Sequence, residues 1–218
     1  MHANYVQRLR FRFSKFGPAR YISHLDLART LERGLNRARL PVAYTQGFNR
    51  RPRLQFAAAL PLGFTSEAEL GDVWLLEVVE PAAAHAQMMS RMAPGIVVHE
   101  VWEVPLEAPA MQAVTIETTF EVFLPTEVDG AGLQERVETL LAAESLPRER
   151  RDKRYDLRPL VHDLSLARAA DGNWKLTLRL ALREGATGRP DEVLDALGLD
   201  PLDLHLHRTS IVLDDDTP

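Results

Sequence analysis

The chain has no cysteine among its 218 residues. That absence excludes disulfides, thiolate zinc sites, all-cysteine iron–sulfur clusters and a cysteine nucleophile. Any redox or radical chemistry therefore belongs to a partner, and no cofactor and no metal are expected. No run approaches the roughly 18 apolar residues of a membrane helix. The opening MHANYVQRLRFRF lacks the apolar stretch of a secretory signal, so a cytoplasmic protein with no membrane partner is expected. A phosphate-binding P-loop, a GxSxG elbow and a dinucleotide fingerprint are also missing. What remains is a chain of 45% hydrophobic residues, enough for one large or two small cored domains.

Acid is scarce at one end. Residues 1–60 carry 12 Lys/Arg against two acids, Asp26 and Glu32, a balance of +10 within a net charge of −5. Residues 61–147 reverse this, with two arginines facing 15 carboxylates. A second basic block follows at Arg148, Arg150, Arg151, Lys153, Arg154 and Arg158, interleaved with Tyr155. The asymmetry predicts a positive face for an anionic partner on an acidic body.

The most informative stretch runs from Arg20 to Gly63. Ser23 and Asp26 have capping-box spacing, and Pro41 disfavours helix at the residue before it, so a helix is expected from Ser23 to about Leu40. His24, Leu27, Leu31, Leu35 and Ala38 share one side; Asp26, Arg29, Arg33, Asn36 and Arg37 share the other, a basic ridge. The loop Tyr44-Thr45-Gln46-Gly47-Phe48-Asn49-Arg50-Arg51-Pro52-Arg53 combines Gly and Asn for left-handed backbone with two aromatics and three arginines. Such a loop offers stacking faces and guanidinium forks to an anionic, flat ligand.

In chain order, residues 5–13 alternate, with Tyr5, Leu9, Phe11 and Phe13 on one face and Arg8, Arg10 and Arg12 expected on the solvent face. After the helix and loop come strands at Leu54–Leu60 and Asp72–Glu80, a helix at Ala82–Met92 and a strand at Ile96–Val104. Pro105 and Pro109 bracket a linker. The pattern then recurs: strand Val114–Leu124, helix Leu133–Leu141, the basic segment, strand Leu160–Ala167, a turn at Asp171-Gly172, strand Trp174–Leu182, helix Pro190–Leu197 ended by Gly198, and strand Leu204–Leu213. The order β-α-β-β-α-β occurs twice, with no residue-level repeat. The expected fold is α+β, two tandem ferredoxin-like domains with antiparallel sheets, over residues 1–108 and 109–218.

The run YISHLDLARTLERGLNRARLPVAYTQGFNRRPRLQFAAALPLG, then TSEAELGDVWLLE, closely resembles the uncharacterised bacterial family of radical-SAM-associated (radical-SAM-linked) proteins, which occurs alone and as the C-terminal part of longer radical SAM polypeptides. YDLRPLV, RPDEVLDALGL and HRTSIVL extend the resemblance over nearly the whole chain. It implies a radical SAM enzyme as a partner. Where the commoner pattern continues Gly47-Phe48-Asn49 with Pro-His-Pro, Arg50-Arg51-Pro52 stands here, which favours anion contact over a catalytic histidine in the loop.

Three functions follow as expectations. The first is a non-redox RNA-binding or substrate-presenting module acting with a radical SAM enzyme or RNA-processing machinery. In it Arg29, Arg33, Arg37, Arg50, Arg51 and Arg53 bind phosphate, Gln46 and Asn49 hydrogen-bond to bases or sugars, and Tyr44 and Phe48 either stack on bases or plug the loop onto the sheet. The second is a metal-independent endoribonuclease with His24 as its catalytic candidate beside Tyr21 or Tyr44, although His24 projects with the core leucines. The third is a protein-binding adaptor that docks through its acidic residues. His205 and His207, two apart on a strand, are a possible metal pair for which no third ligand stands out.

Overall fold

The computed structural model describes residues 5–46, 48–150 and 152–214. The fold is α+β and divides into two compact units, residues 5–114 and Thr115–Asp214.

In the first unit, strand β1 (Gln7–Lys15) is followed by a 3-10 turn and helix α1 (His24–Arg37). Then come β2 (Leu54–Phe56), β3 (Thr65–Leu75), α2 (Pro81–Met89), β4 (Ile96–Val104) and a single turn, α3 (Met111–Val114). The strands stand in the order β4-β1-β3-β2, every neighbouring pair antiparallel. The capping box at the start of α1 forms as its spacing predicts: Ser23 Oγ accepts from the Asp26 backbone N–H at 3.2 Å and donates to its carboxylate at 2.8 Å. The helix ends three residues short of Leu40, because Arg39 takes a left-handed φ of 57°.

One face of β1 builds the core. Leu9, Phe11 and Phe13 are fully buried with Leu27, Leu31 and Leu35 of α1 and Ala84 and Met88 of α2. Gly71 lies opposite Phe11 in the sheet, and a Cβ there would collide with the Phe11 ring, so the strand needs glycine at that point.

The other face corrects the expectation that the arginine row meets solvent. Arg8 is 2% exposed and Asp72 is completely buried. Asp72 stands opposite Arg10 in the β1–β3 register and accepts from both arginines, from Arg8 Nε at 2.9 Å and from Arg10 Nε at 2.8 Å. Arg8 also donates to the carbonyls of Ala108 and Pro109. Only Arg12 of the three is exposed, beside Glu100. Alternation separated Leu9, Phe11 and Phe13 from the arginines, but it cannot reveal that β1 lies between two strands and beneath the 106–110 segment. Tyr5 also leaves the Leu9 row and sets its ring edge-on to Trp74, 6.3 Å between centroids.

β3 begins and ends earlier than expected. Its pairing with β1 runs from Lys15↔Ser66 to Gln7↔Leu75, so Leu76 and Val78 have no strand beside them and are exposed.

In the second unit, β5 (Thr115–Phe123), α4 (Gly130–Ala142), β8 (Val161–Arg168), β9 (Trp174–Arg183), α5 (Pro190–Ala196) and β11 (His205–Leu213) follow the same order of elements. Their strands pair antiparallel as β8-β9-β5-β11, with the two-residue β10 (Ala186–Thr187) beside the end of β9. Leu176, Leu178 and Leu180 of β9 are fully buried, as are Leu133 and Val137 of α4 within 1%. Gly172 and Gly198 have φ of 83° and 71°, as the hairpin turn and helix terminator require.

Between α4 and β8 the basic block folds into a separate hairpin, β6 (Pro147–Arg150) with β7 (Lys153–Asp156). Its charges are largely consumed inside the unit. Arg150 pairs with Asp191 and Glu192, each at 3.0 Å, and Arg148 with Asp195 at 3.1 Å. Arg154 pairs with Glu149, and Arg158 donates to the carbonyls of Leu141 and Val161. The block reads as basic in sequence only because its partners lie some 40 residues further on, in α5. Arg151 lies outside the described residues.

Candidate nucleic-acid interface

The candidate site is built where α1 hands the chain to β2, alongside the end of β3. Val42 bridges to Leu75, and the Ala43 N–H donates to the Trp74 carbonyl at 2.7 Å, which stitches the loop entrance to the sheet. The loop then closes on itself. Arg53 N–H donates to the Ala43 carbonyl at 2.7 Å and Thr45 N–H to the Arg51 carbonyl at 2.8 Å, while Thr45 Oγ1 accepts from Arg51 N–H at 3.1 Å. These bonds make residues 43–53 a pinched finger, with Gln46, Phe48, Asn49 and Arg50 at its tip.

The tip is open to solvent. Phe48 is fully exposed at 103%, and Gln46, Asn49, Arg50 and Arg51 are exposed with it. Among the described residues no carboxylate pairs with Arg50 or Arg51. Gly47, one of the two positions expected to be left-handed, lies outside the described residues; Asn49, the other, is not among the positive-φ residues.

Tyr44 ties the finger to the helix. Its ring is 40% exposed, and its Oη donates to Asn36 Oδ1 at 3.1 Å. Asn36 lies on the ridge between Arg33 and Arg37, so the loop base and the C-terminal half of the ridge share one surface. Of the ridge arginines, Arg29 pairs with Asp26 at 3.3 Å and Arg37 donates to the Arg91 carbonyl at 2.9 Å. Arg33 is exposed, and no described carboxylate pairs with it.

Two expected members stand apart. Arg53 turns away from the tip and lays its guanidinium over Tyr5 and Trp74, at 4.6 and 4.7 Å from the ring centroids. His24 is half-buried at the first turn of α1, its ring edge-on to Phe56 at 5.4 Å. It serves the packing of the helix onto β2. His205 stacks on Phe123 at 5.8 Å, and no group of three or more His, Cys, Asp or Glu among the described residues could hold a metal ion.

Sequence reasoning missed Asn36 as the anchor of Tyr44 and Thr45 as the clasp of the finger. Asn36 stood on the polar ridge in the helical pattern; Thr45 had no signal beyond being a hydroxyl opposite Arg51.

The bacterial family described as "Uncharacterized protein conserved in bacteria (DUF2344)" matches residues 8–190. The chain belongs to this family. The matched span includes all of α1, the finger and both hairpins of the second unit, so the candidate site lies within the family's own domain. No curated protein matches the chain. A solved structure described as "Crystal structure of putative glycine cleavage system transcriptional repressor" is similar over 95% of this chain and 98% of that one, at 11% identity and a TM-score of 0.26. A superposition of that quality carries neither fold nor function across. No described helix is long and apolar enough to cross a membrane.

Proposed function

We propose that this protein is a non-redox RNA-binding or substrate-presenting module that acts with a radical SAM enzyme or RNA-processing machinery. On this reading each unit is ferredoxin-like, in agreement with the element order and the antiparallel strand order that both units share. The observation that carries the function is the fully exposed Phe48 ring set beside two guanidiniums that no described carboxylate pairs, at the tip of a hydrogen-bonded finger. An exposed aromatic ring flanked by cations is the combination that single-stranded nucleic-acid binders use. It stacks a base while Arg50, Arg51 and Arg33 meet phosphates, with Gln46 and Asn49 free to bond sugars and base edges.

The test is retention of bulk cellular RNA by the purified chain at about 50 and about 200 mM salt. Retention is expected to fall steeply with salt, to vanish in the Arg50→Glu/Arg51→Glu double variant, and to weaken by about 1–3 kcal/mol in Phe48→Ala. RNA bound equally well by all three proteins, or by none, overturns the proposal.

A further inference from the structure

We infer that the first unit holds a second binding site, apart from the tip of the finger: a cleft that takes a small organic anion, its oxyanion head on Arg53 and Gln55 and its apolar body against Leu106 and Ala108. The cleft lies on the sheet face opposite α1 and α2. It has a volume of about 350 Å³ and is lined by Arg8, Arg53, Gln55, Trp74, Leu106 and Ala108, with Leu54 and Ala110 completing it. That size is at the small end of ligand pockets, suited to a single-ring or amino-acid-sized molecule.

The charge inside the cleft points to the ligand. Arg8 and Arg10 share the carboxylate of Asp72, so that cluster already carries one positive charge in excess. Arg53 adds another. It is half-buried, fixed over Trp74 and Tyr5, and among the described residues no carboxylate pairs with it. Aromatic faces hold a guanidinium in place without satisfying its N–H donors, which leaves the fork presented to an oxyanion. Gln55 stands opposite Asp72 in the β2–β3 register, on the same face as Arg53, and among the described residues its amide has no hydrogen-bond partner. The remaining wall is apolar: Leu106, Ala108, Ala110 and the indole of Trp74. A carboxylate or a phosphate monoester satisfies this arrangement; an uncharged molecule of the same shape does not.

Indole N–H resonances of the chain's three tryptophans allow a direct test, with Trp74 assigned through Trp74→Phe. The 15N-labelled protein is titrated with benzoate, with phenyl phosphate and with neutral benzamide. The expected result is a saturable shift of the Trp74 signal with at least one anion and none with benzamide, the two anions deciding between carboxylate and phosphate. Arg53→Met, which keeps the stem over the rings, is expected to weaken binding about tenfold or more. Ala110→Tyr, at the exposed rim, is expected to block binding with Arg53 intact. The Arg50→Glu/Arg51→Glu variant is expected to bind the anion as wild type does, which separates this site from the RNA surface. No saturable shift with either anion, or equal binding of benzamide, or unchanged binding in both cleft variants, overturns the inference.

Discussion

Tyr44 Oη donates to Asn36 Oδ1 at 3.1 Å, so the first aromatic of the finger is fastened to the last full turn of the helix that carries the arginine ridge. The bond is exposed, and its net value to stability is about 0.5–1.5 kcal/mol at most. Its larger effect is on the orientation of the finger. Tyr44→Phe and Asn36→Ala are each expected to change the urea midpoint little and to weaken RNA retention several-fold. Because both remove one bond, the double variant is expected to match either single one; additive losses would show that the two side chains act separately.

The ridge arginines are not equivalent. Arg33 has no described carboxylate partner, whereas Arg29 has Asp26 at 3.3 Å. Arg33→Ala is therefore expected to lower the slope of log affinity against log salt by about one, and Arg29→Ala by distinctly less. Filter binding of RNA across a salt series measures both, and equal slopes for the two variants would contradict the division.

Asp72 is shared by two arginines inside the first unit. Asp72→Asn leaves Arg8, itself 2% exposed, without a counter-charge and is expected to cost about 3–5 kcal/mol in urea denaturation. A loss below about 1 kcal/mol would mean that water or a shifted 106–110 segment takes over the role of the carboxylate.

Acid is expected to weaken the second unit. Burial pushes the Glu117 carboxyl up, but hydrogen bonds from Arg179 and His162 and their charges outweigh it and hold it below its ordinary 4.5. Asp191 is likewise pushed up by burial and held down on balance by Arg189 and Arg150. A carboxylate whose folded pKa is depressed contributes stability that is full above its unfolded value and disappears as pH falls through the folded one. Urea midpoints are expected to fall as pH drops below about 4.5, and Glu117→Gln to flatten that fall. A steeper acid dependence in Glu117→Gln would reverse the assignment.

Much of the secondary structure was legible because its signals are local. Ser23 and Asp26 announced the start of α1, and Ile96–Val104 is a strand with the expected bounds. The alternation Trp174 to Leu182 became β9. What was illegible depended on the partners of residues. Arg8 and Arg10 look like a solvent row until β3 supplies Asp72, and Arg148 and Arg150 look like a binding patch until α5 supplies three carboxylates. The site was legible in the same measure. The aromatics and arginines of the tip could be read from composition, but not whether Phe48 would plug the loop or stand in solvent, and the turn of Arg53 to Trp74 follows from a pairing 21 residues distant that no local pattern encodes.

The Asp72 cluster also bears on how the sheet forms. β1 carries Leu9, Phe11 and Phe13 on one face and Arg8 and Arg10 on the other, and a slip of one residue against β3 exchanges the faces. In the slipped chain two guanidiniums would enter the apolar layer beside Leu27 and Leu31, and Asp72 would confront Leu9 or Phe11. An odd-numbered slip thus separates Arg8, Arg10 and Asp72 from their partners, at several kcal/mol for each ion left buried and unpaired. The buried ion cluster therefore discriminates between alignments of β1 and β3, a selectivity separate from its net contribution to stability.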